Sequence, residues 1–288
     1  MIGCDPELFL HDGKRFMSAI DRIGGSKQQP RRLLGGFALQ EDNVLVEYNI
    51  PPAKSSSQFV DYNKLMLEEI DYIAKQQGLK SVISSSEEMP EEELADPRAR
   101  VFGCDPDFNA WELEPNPPPK ADNPNLRSAG GHIHVAMKGK SPEKITMIRV
   151  LDMLIGVPLA FMDKTSKRRE LYGRAGACRF KPYGVEYRTP SNVWLKDDVV
   201  MQNTADIVFQ LQGDKKLLKS LGQKADQKEE VIKSAINTLS DDAYSDLYGL
   251  LKDFWNYSVL PPTKQETIQY VDIGTTKYFS TSAIFKAV

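Results

Sequence analysis

Cysteine is scarce in this chain: Cys4, Cys104 and Cys178 are an odd number and form no CxxC pair. That excludes a disulfide framework and a zinc ribbon, and leaves three small residues expected to be buried. Histidine is equally rare, with His11, His132 and His134 the whole supply. An excess of positive charge is also lacking, since 37 basic against 40 acidic residues give a formal charge of −3. Nothing general therefore draws the chain to nucleic acid or to an anionic membrane. The first residues form no charged-then-apolar leader, and no apolar run is expected to approach the length of a membrane span, so a cytoplasmic protein is the expectation. No solenoid-type period is present.

What the chain does have is 41% hydrophobic residues among 288, enough for a sizeable core. Strands are predicted at "MIGCDPELFL", "NVLVEYNIPPA", "SVIS", "GGHIHVAM" and "YGVEYRTPSNVW". Apolar spacing predicts a helix over 58–77, closed by Gly78. A second helix is predicted at "SPEKITMIRVLDMLIGVPLAFMD", with Ser141 as N-cap and Pro142 at its first position. The acidic run "SSSEEMPEEELADP" reads as a solvated face or short helix. The Pro- and Asn-rich stretch 101–127 reads as short strands between long loops, which are uncommon unless functional. Three amphipathic helices, "DDVVMQNTADIVFQLQ", "DQKEEVIKSAINTLS" and "DAYSDLYGLLKDFW", precede a mixed tail. The predicted organisation is a catalytic core over 1–212 and a C-terminal helical region and tail over 213–288.

The chain spells nearly the same words twice, "GCDPELFL" from Gly3 and "GCDPDFNAW" from Gly103. In each copy two acids stand two apart, and residues i and i+2 on a strand share a face. The same spacing recurs in Glu47/Asn49, Asp105/Asp107/Asn109, His132/His134 and Glu186/Arg188. Singly, these read as an Asp-Pro turn on a solvated rim, satisfied histidines and a surface ion pair. Jointly they describe one polar face crowded with carboxylates, which raise each other's pKa unless cations compensate them. Oxygen ligands with a histidine suit Mg²⁺ or Mn²⁺. Downstream lies a basic segment, in which Lys164, Lys167 and Arg168 read as a solvated helix end. Arg174, Arg179 and Arg188, among Gly, Tyr and Phe, are placed to clamp phosphoryl oxygens. Metal-binding acids facing arginines suit phosphoryl transfer.

The wordings "GCDPELF", "VEYNIPPA", "GCDPDFNAW", "LRSAGGHIHV" and "YGRAGACRFKPYGVEYRTPSNVW", in this order, resemble the amidoligases of the glutamine synthetase and glutamate-cysteine ligase superfamily. The likeness is to the COOH-NH2 ligase type 2 group common in tailed phages, from Gly3 to about Trp194. It implies an α+β fold, with a curved, mainly antiparallel sheet and flanking helices like the glutamine synthetase catalytic domain, followed here by a C-terminal helical region. It implies an ATP-dependent ligase that activates a carboxylate as an acyl phosphate and joins it to an amine, releasing ADP and phosphate. ATP and Mg²⁺ or Mn²⁺ would be the cofactors, and a small-molecule or peptide carboxylate and amine the partners, in the host cytoplasm if the gene is a phage's.

By the same resemblance Glu7, Glu47, His132 and Glu186 bind metal, with Asp5 as the other acid of the first strand. His134 contacts phosphate, while Arg188, Arg179 and Arg174 serve the nucleotide phosphates and the moving phosphoryl group. Asp105 and Asp107 have no counterpart in glutamine synthetase and are expected on the same face, holding a metal or receiving the amine and its proton. Two other functions stay open: a metal-dependent hydrolase, and an inactive nucleotide-binding or structural phage protein. The hydrolase wants further histidines downstream, whereas His11 lies upstream in an expected turn. No thiolate enters the ligase chemistry. Cys104→Ala is therefore expected to turn over ATP at the parental rate, and its loss in a folded variant would require a different mechanism.

Overall fold

The opening segment is apolar enough for a central strand, but Pro6 has no amide hydrogen to give a ladder. In the computed structural model, which describes residues 1–100, 107–118, 122–165 and 167–264, the segment divides there. Ile2–Cys4 pairs antiparallel with Ile133–Ala136, and Glu7–His11 pairs antiparallel with Leu45–Asn49. Across the break, the amides of Asp5 and Glu7 donate to the carbonyls of His132 and Gly130 at 3.3 and 2.9 Å. The Pro6 carbonyl turns the other way and accepts from Tyr48 N at 3.2 Å. One run of chain thus leaves one sheet and enters another at Asp5-Pro6-Glu7.

The first sheet has six strands, in the spatial order Ile2–Cys4, Ile133–Ala136, Gly184–Tyr187, Ala177–Lys181, Phe108–Asn109 and Glu114–Pro115. The second runs Phe16–Met17, Glu7–His11, Leu45–Asn49, Ala38–Asp42 and Arg31–Arg32, with Lys80–Val82 also paired to Glu7–His11. All the pairings are antiparallel. The fold is α+β, with curled antiparallel sheets, packed helices and a helical C-terminal region. The acidic run supplies the strand Ser86–Glu88, paired with Leu126–Ser128, and the 3-10 turn Glu91–Leu94.

The helix expected over 58–77 spans Ser56–Lys75, with Ser55 accepting from Gln58 N as its cap and Gly78 beyond it at φ 69°. Its buried face carries Phe59, Asn63, Met66 and Ile70. Ser141 is not an N-cap. Lys140 holds that position and Ser141 starts the helix Ser141–Leu151, which runs on through a π-helical turn, Asp152–Gly156, into Val157–Asp163. This continuous 23-residue helix is long and apolar enough to cross a membrane by length and composition, which corrects the expectation that no such run exists. Most of its apolar stretch is buried inside the protein, as in the core helix of a globular fold.

The C-terminal region contains Asp198–Gly213, Lys215–Gln227, Glu229–Thr238 and Asp241–Leu251. Lys215–Gln227 was not expected, because its narrow buried side is only Leu221, Gly222 and Ala225. One apolar cluster includes Ile2 and Leu260, so these helices share their core with the sheet. Cys4 and Cys178 are buried, as read; Cys104, Asp105 and the tail from 265 lie outside the described residues.

Asn63 ties the long helix to both sheets from a fully buried position. Its Oδ1 accepts from Tyr48 Oη at 2.6 Å and Cys4 Sγ at 3.2 Å, and its Nδ2 donates to the Phe59 carbonyl at 2.8 Å. Asn63→Ala leaves the Tyr48 hydroxyl buried without an acceptor and should cost about 2–4 kcal/mol, whereas Tyr48→Phe should cost about 1 kcal/mol. Denaturant midpoints of the two variants will order them, and an Asn63→Ala change no larger than Tyr48→Phe would remove this role.

Candidate functional site

Alternation gives the middle of the first sheet two unlike faces. Ile133, Val135, Cys178, Val185 and Tyr187 are fully buried in the core. His134, Arg179, Lys181 and Glu186 occupy the opposite face, where the register sets both His134 and Arg179 directly across from Glu186. Asp5 joins them from the adjoining strand: its Oδ1 lies 3.1 Å from His134 Nε2 and 3.4 Å from His132 Nδ1. Glu186 Oε1 meets the Arg188 guanidinium, with Arg179 at 3.8 Å, and Lys181 Nζ lies 2.7 Å from Oε2.

Three atoms of this group bear on metal binding. Asp5 Oδ1, His134 Nε2 and Glu186 Oε2 are buried, meet the ion-pair partners just given, and come from residues whose ligand atoms lie within 4.8 Å of one another. Tyr183 Oη, 3.1 Å from His134 Nδ1, can hold the proton on that side of the ring and leave Nε2 its lone pair. Two carboxylate oxygens and one imidazole nitrogen suit Mn²⁺ or Mg²⁺. Burial works against charge on Asp5, yet the two histidines outweigh it and hold its carboxyl well below the ordinary range. Burial and Asp5 likewise oppose the charge on Glu186, but His132, Arg188 and Lys181 keep it low. Burial lowers and Asp5 raises the His134 imidazole, with a net rise.

A second group gathers on the other sheet. Glu7, Asp42 and Glu47 bring carboxylate oxygens within 4.8 Å of one another, an all-oxygen set suited to a hard divalent ion. Glu7 stands opposite Glu47, and Glu47 opposite Gln40. Glu7 Oε2 accepts from Gly130 N at 2.6 Å, and Asp42 pairs with Lys27 at 2.9 Å. Compensation is much thinner here. Burial, then Asp42, pushes Glu7 up to about 7. Burial, then Asp5, raises Glu47 well above the ordinary value. Asp42 was absent from the expected set, although it is two residues from Gln40 at the end of the same strand, and that i, i+2 pair was the available signal.

Beside the second group sits a cleft lined by Glu7, Asp42, Gly130, His132, Arg168 and Arg188, among others. Arg188 is buried, with Nε 3.5 Å from Asp107 Oδ2 and a terminal nitrogen 3.4 Å from His132 Nδ1. Asn116 Nδ2 in turn donates to Asp107 Oδ1 at 2.8 Å. Burial, then Arg188, lowers the pKa of His132. His132 is not in either compact donor set, but its Nδ1 lies 3.4 Å from Asp5 Oδ1 and 3.9 Å from Glu186 Oε1, so both histidines stand beside these two acids. They reach the acids differently: His134 faces Glu186 in the ladder, and His132 precedes the strand.

Gly130 is a packing requirement at this point, because a Cβ there would collide with the His132 ring.

Other expected residues do not gather here. Arg174 is exposed and lines a separate cleft with Asn109, Lys233 and Asn237. Asn109 itself caps a turn, its Oδ1 accepting from Trp111 N and Glu112 N. Arg168 is not part of a solvated helix end. It is 3% exposed, and its guanidinium donates to the carbonyls of Ala129, Thr189 and Pro190 at 3.1, 2.8 and 3.0 Å. His11 lies at the far end of its strand and accepts from Gly13 N at 2.9 Å. Asp105 is outside the described residues. Lys181 was passed over among the basic residues, although it stands two from Arg179.

Residues 125–252 match the family described as phage phiEco32-like COOH.NH2 ligase-type 2. The matched stretch is less than half of the chain and contains the GGHIHV and GVEYRTPSN wordings, in agreement with the resemblance read from them. No curated protein matches the chain significantly. Among solved structures, "Apo GmaS without ligand" is 13% identical at TM-score 0.39, covering 94% of this chain and 72% of that one. "GmaS/ADP complex-Conformation 1" is 12% identical at TM-score 0.38, covering 94% and 73%. "Crystal structure of novel glutamine synthase homolog" is 13% identical at TM-score 0.34, covering 88% and 66%. Likeness at that level carries neither fold nor chemistry.

Glu7, raised to about 7 from an ordinary 4.5, binds its proton more tightly folded than unfolded. Its stabilising contribution is complete below about 4.5 and is lost as pH rises through about 7. Thermal melts in chelator should therefore show the advantage of the parent over Glu7→Gln shrinking across that window, and a pH-independent difference would refute the assignment. Separately, Gly130→Ala should disturb His132 while leaving a folded protein, visible as a displaced ring in a crystal structure of the variant.

Proposed function

We propose that the protein is an ATP-dependent carboxylate–amine ligase that makes an amide through an acyl phosphate. The observation that carries this reading is that the buried Arg188 lines one cleft with Glu7 and Asp42 of one acidic group and ion-pairs with Glu186 of the other, in a chain matching a ligase family. Neither a phosphate-cradling Gly-rich loop nor a covalent nucleophile is needed.

Divalent cations would be held by Asp5, His134 and Glu186 and by Glu7, Asp42 and Glu47, and would supply neutralisation of the nucleotide's phosphate charge. Arg188, fixed by Glu186 and Asp107, points a planar donor set at the cleft, and Arg179 adds a second cation across the strand. Their part is to stabilise the γ-phosphoryl group as the substrate carboxylate attacks it. His132, its pKa lowered by burial, then Arg188, contributes an uncharged ring beside that arginine. Asp107, with one oxygen near Arg188 and the other held by Asn116, takes the proton of the attacking ammonium. The carboxylate and amine substrates are a small molecule or peptide each.

The direct test is incubation with ATP, Mg²⁺ and panels of carboxylates and amines, measuring ADP, phosphate and amide. Release of ADP that depends on both substrates supports the ligase; ATP-independent hydrolysis, or no turnover with any pair, counts against it. Within the active enzyme, Glu7→Gln should abolish all ATP use. Asp107→Asn should keep ATP binding by calorimetry but lose ~10²–10⁴-fold in amide formation, as when a general base is removed. Equal loss of nucleotide binding in both variants would mean that the two acids do the same job.

A further inference from the structure

We infer that Asp152 is a positioning residue that, from behind the sheet, fixes the stretch of chain bearing Glu186 and Arg188. Asp152 is fully buried at the start of the π-helical turn and has no cationic partner among the described residues. Hydrogen bonds compensate it instead. Oδ1 accepts from Tyr187 Oη and Thr189 Oγ1, both at 2.8 Å, and Oδ2 accepts from Trp111 Nε1 at 2.7 Å and Gly176 N at 2.5 Å.

These donors have a pattern. Tyr187 and Thr189 alternate with Glu186 and Arg188, so the bonds are made on the back of the stretch whose front carries the acid and the arginine. Gly176 leads into Ala177–Lys181, which bears Arg179, and Trp111 follows the Phe108–Asn109 strand just beyond Asp107. One carboxylate therefore gathers the backs of the segments whose fronts bring Glu186, Arg188, Arg179 and Asp107 together. Gly156, one turn along, keeps the approach open: a Cβ there would run into the Tyr187 hydroxyl and crowd Asp152 Oδ1. Burying a carboxylate with no counter-ion is costly, and an apolar side chain would fill the space more stably. What the acid adds is a fixed set of directions. A π-turn interrupting an α-helix recurs at functional positions.

The proposal deepens the cation-binding reading of Glu186 under the proposed function, and its test separates the two. Mn²⁺ affinity is measured by calorimetry on the full chain for the parent, Tyr187→Phe/Thr189→Val, Asp152→Asn and Trp111→Phe, each with a thermal melt, together with a crystal structure of the double variant. The double variant removes both donors to Oδ1 without changing the acid and should bind Mn²⁺ about tenfold more weakly, the scale of a lost outer-shell partner. Asp152→Asn keeps an oxygen for Trp111 and Gly176 and offers its amide to the two hydroxyls, so it should stay close to the parent. Trp111→Phe should lower the melting temperature without an equal loss of affinity. Parental affinity and an unmoved Glu186 and Arg188 in the folded double variant would overturn the proposal. A parent that binds no Mn²⁺ would overturn the cation reading instead, and the positions of Glu186 and Arg188 in the double variant's crystal structure would then decide the positioning role alone.

Discussion

The site depends on the missing amide hydrogen of Pro6. A regular strand through residues 2–11 would put Asp5 and Glu7 side by side on one sheet. Because Pro6 gives no donor, the ladder is interrupted, and backbone bonds to Gly130 and His132 on one side and from Tyr48 on the other carry the chain between sheets. Asp5 is delivered to His134 and Glu186, and Glu7 to Glu47 and Asp42. The paired acids of "DPE" thus serve two neighbouring groups.

Those groups solve one electrostatic problem in different ways. Around Asp5 and Glu186 the protein supplies its own cations, Lys181, Arg179, Arg188 and the histidines, and the acids stay ionised. Around Glu7 and Glu47 it supplies backbone and amide donors, with Lys27 on Asp42 and Arg188 acting on Glu7, and burial still drives the two glutamates toward protonation. Glu7, pushed up to about 7, releases its proton near neutral pH and so exchanges it for a metal ion at modest cost. The asymmetry fits a site in which one group stays charged to hold arginines in place while the other takes up charge with its ligand.

Support for the front of the sheet comes from behind and beside it. Arg168 ties the carbonyls of Ala129, Thr189 and Pro190 together, and Asn192 Nδ2 donates to the Glu7 carbonyl at 2.7 Å. The loops carrying Gly130 and Arg188 are therefore braced by buried polar contacts, whose loss leaves unsatisfied groups in the interior. This explains why a basic stretch that reads as phosphate-binding divides its arginines. Arg188 lines the cleft, Arg179 lies beside Glu186, Arg168 lines the cleft while its guanidinium braces three carbonyls, and Arg174 turns to another surface.

By itself the sequence determined the chemistry of the polar face. Period-two alternation in "GGHIHV" and "GVEYR" sorts His134 and Glu186 from Ile133, Val135, Val185 and Tyr187 without reference to any partner, since side-chain direction on a strand is local. The main strands, most helices and the burial of Cys4 and Cys178 were legible from local pattern, whereas the α+β class came from the family resemblance and Lys215–Gln227 was missed. Only the tertiary structure decided which acids stand together, that His134 joins His132 beside Asp5 and Glu186, and that Asp42 and Lys181 lie among them, with Asp152 behind. Those relations depend on register between strands distant in sequence, on the sheet change at Pro6, and on which face of a buried helix meets the back of the sheet. None of these is set by neighbours along the chain. Long side chains such as Arg168 and Arg174 widen the ambiguity, because the same local spacing lets a guanidinium reach a cleft, a carbonyl or solvent, and only packing selects one.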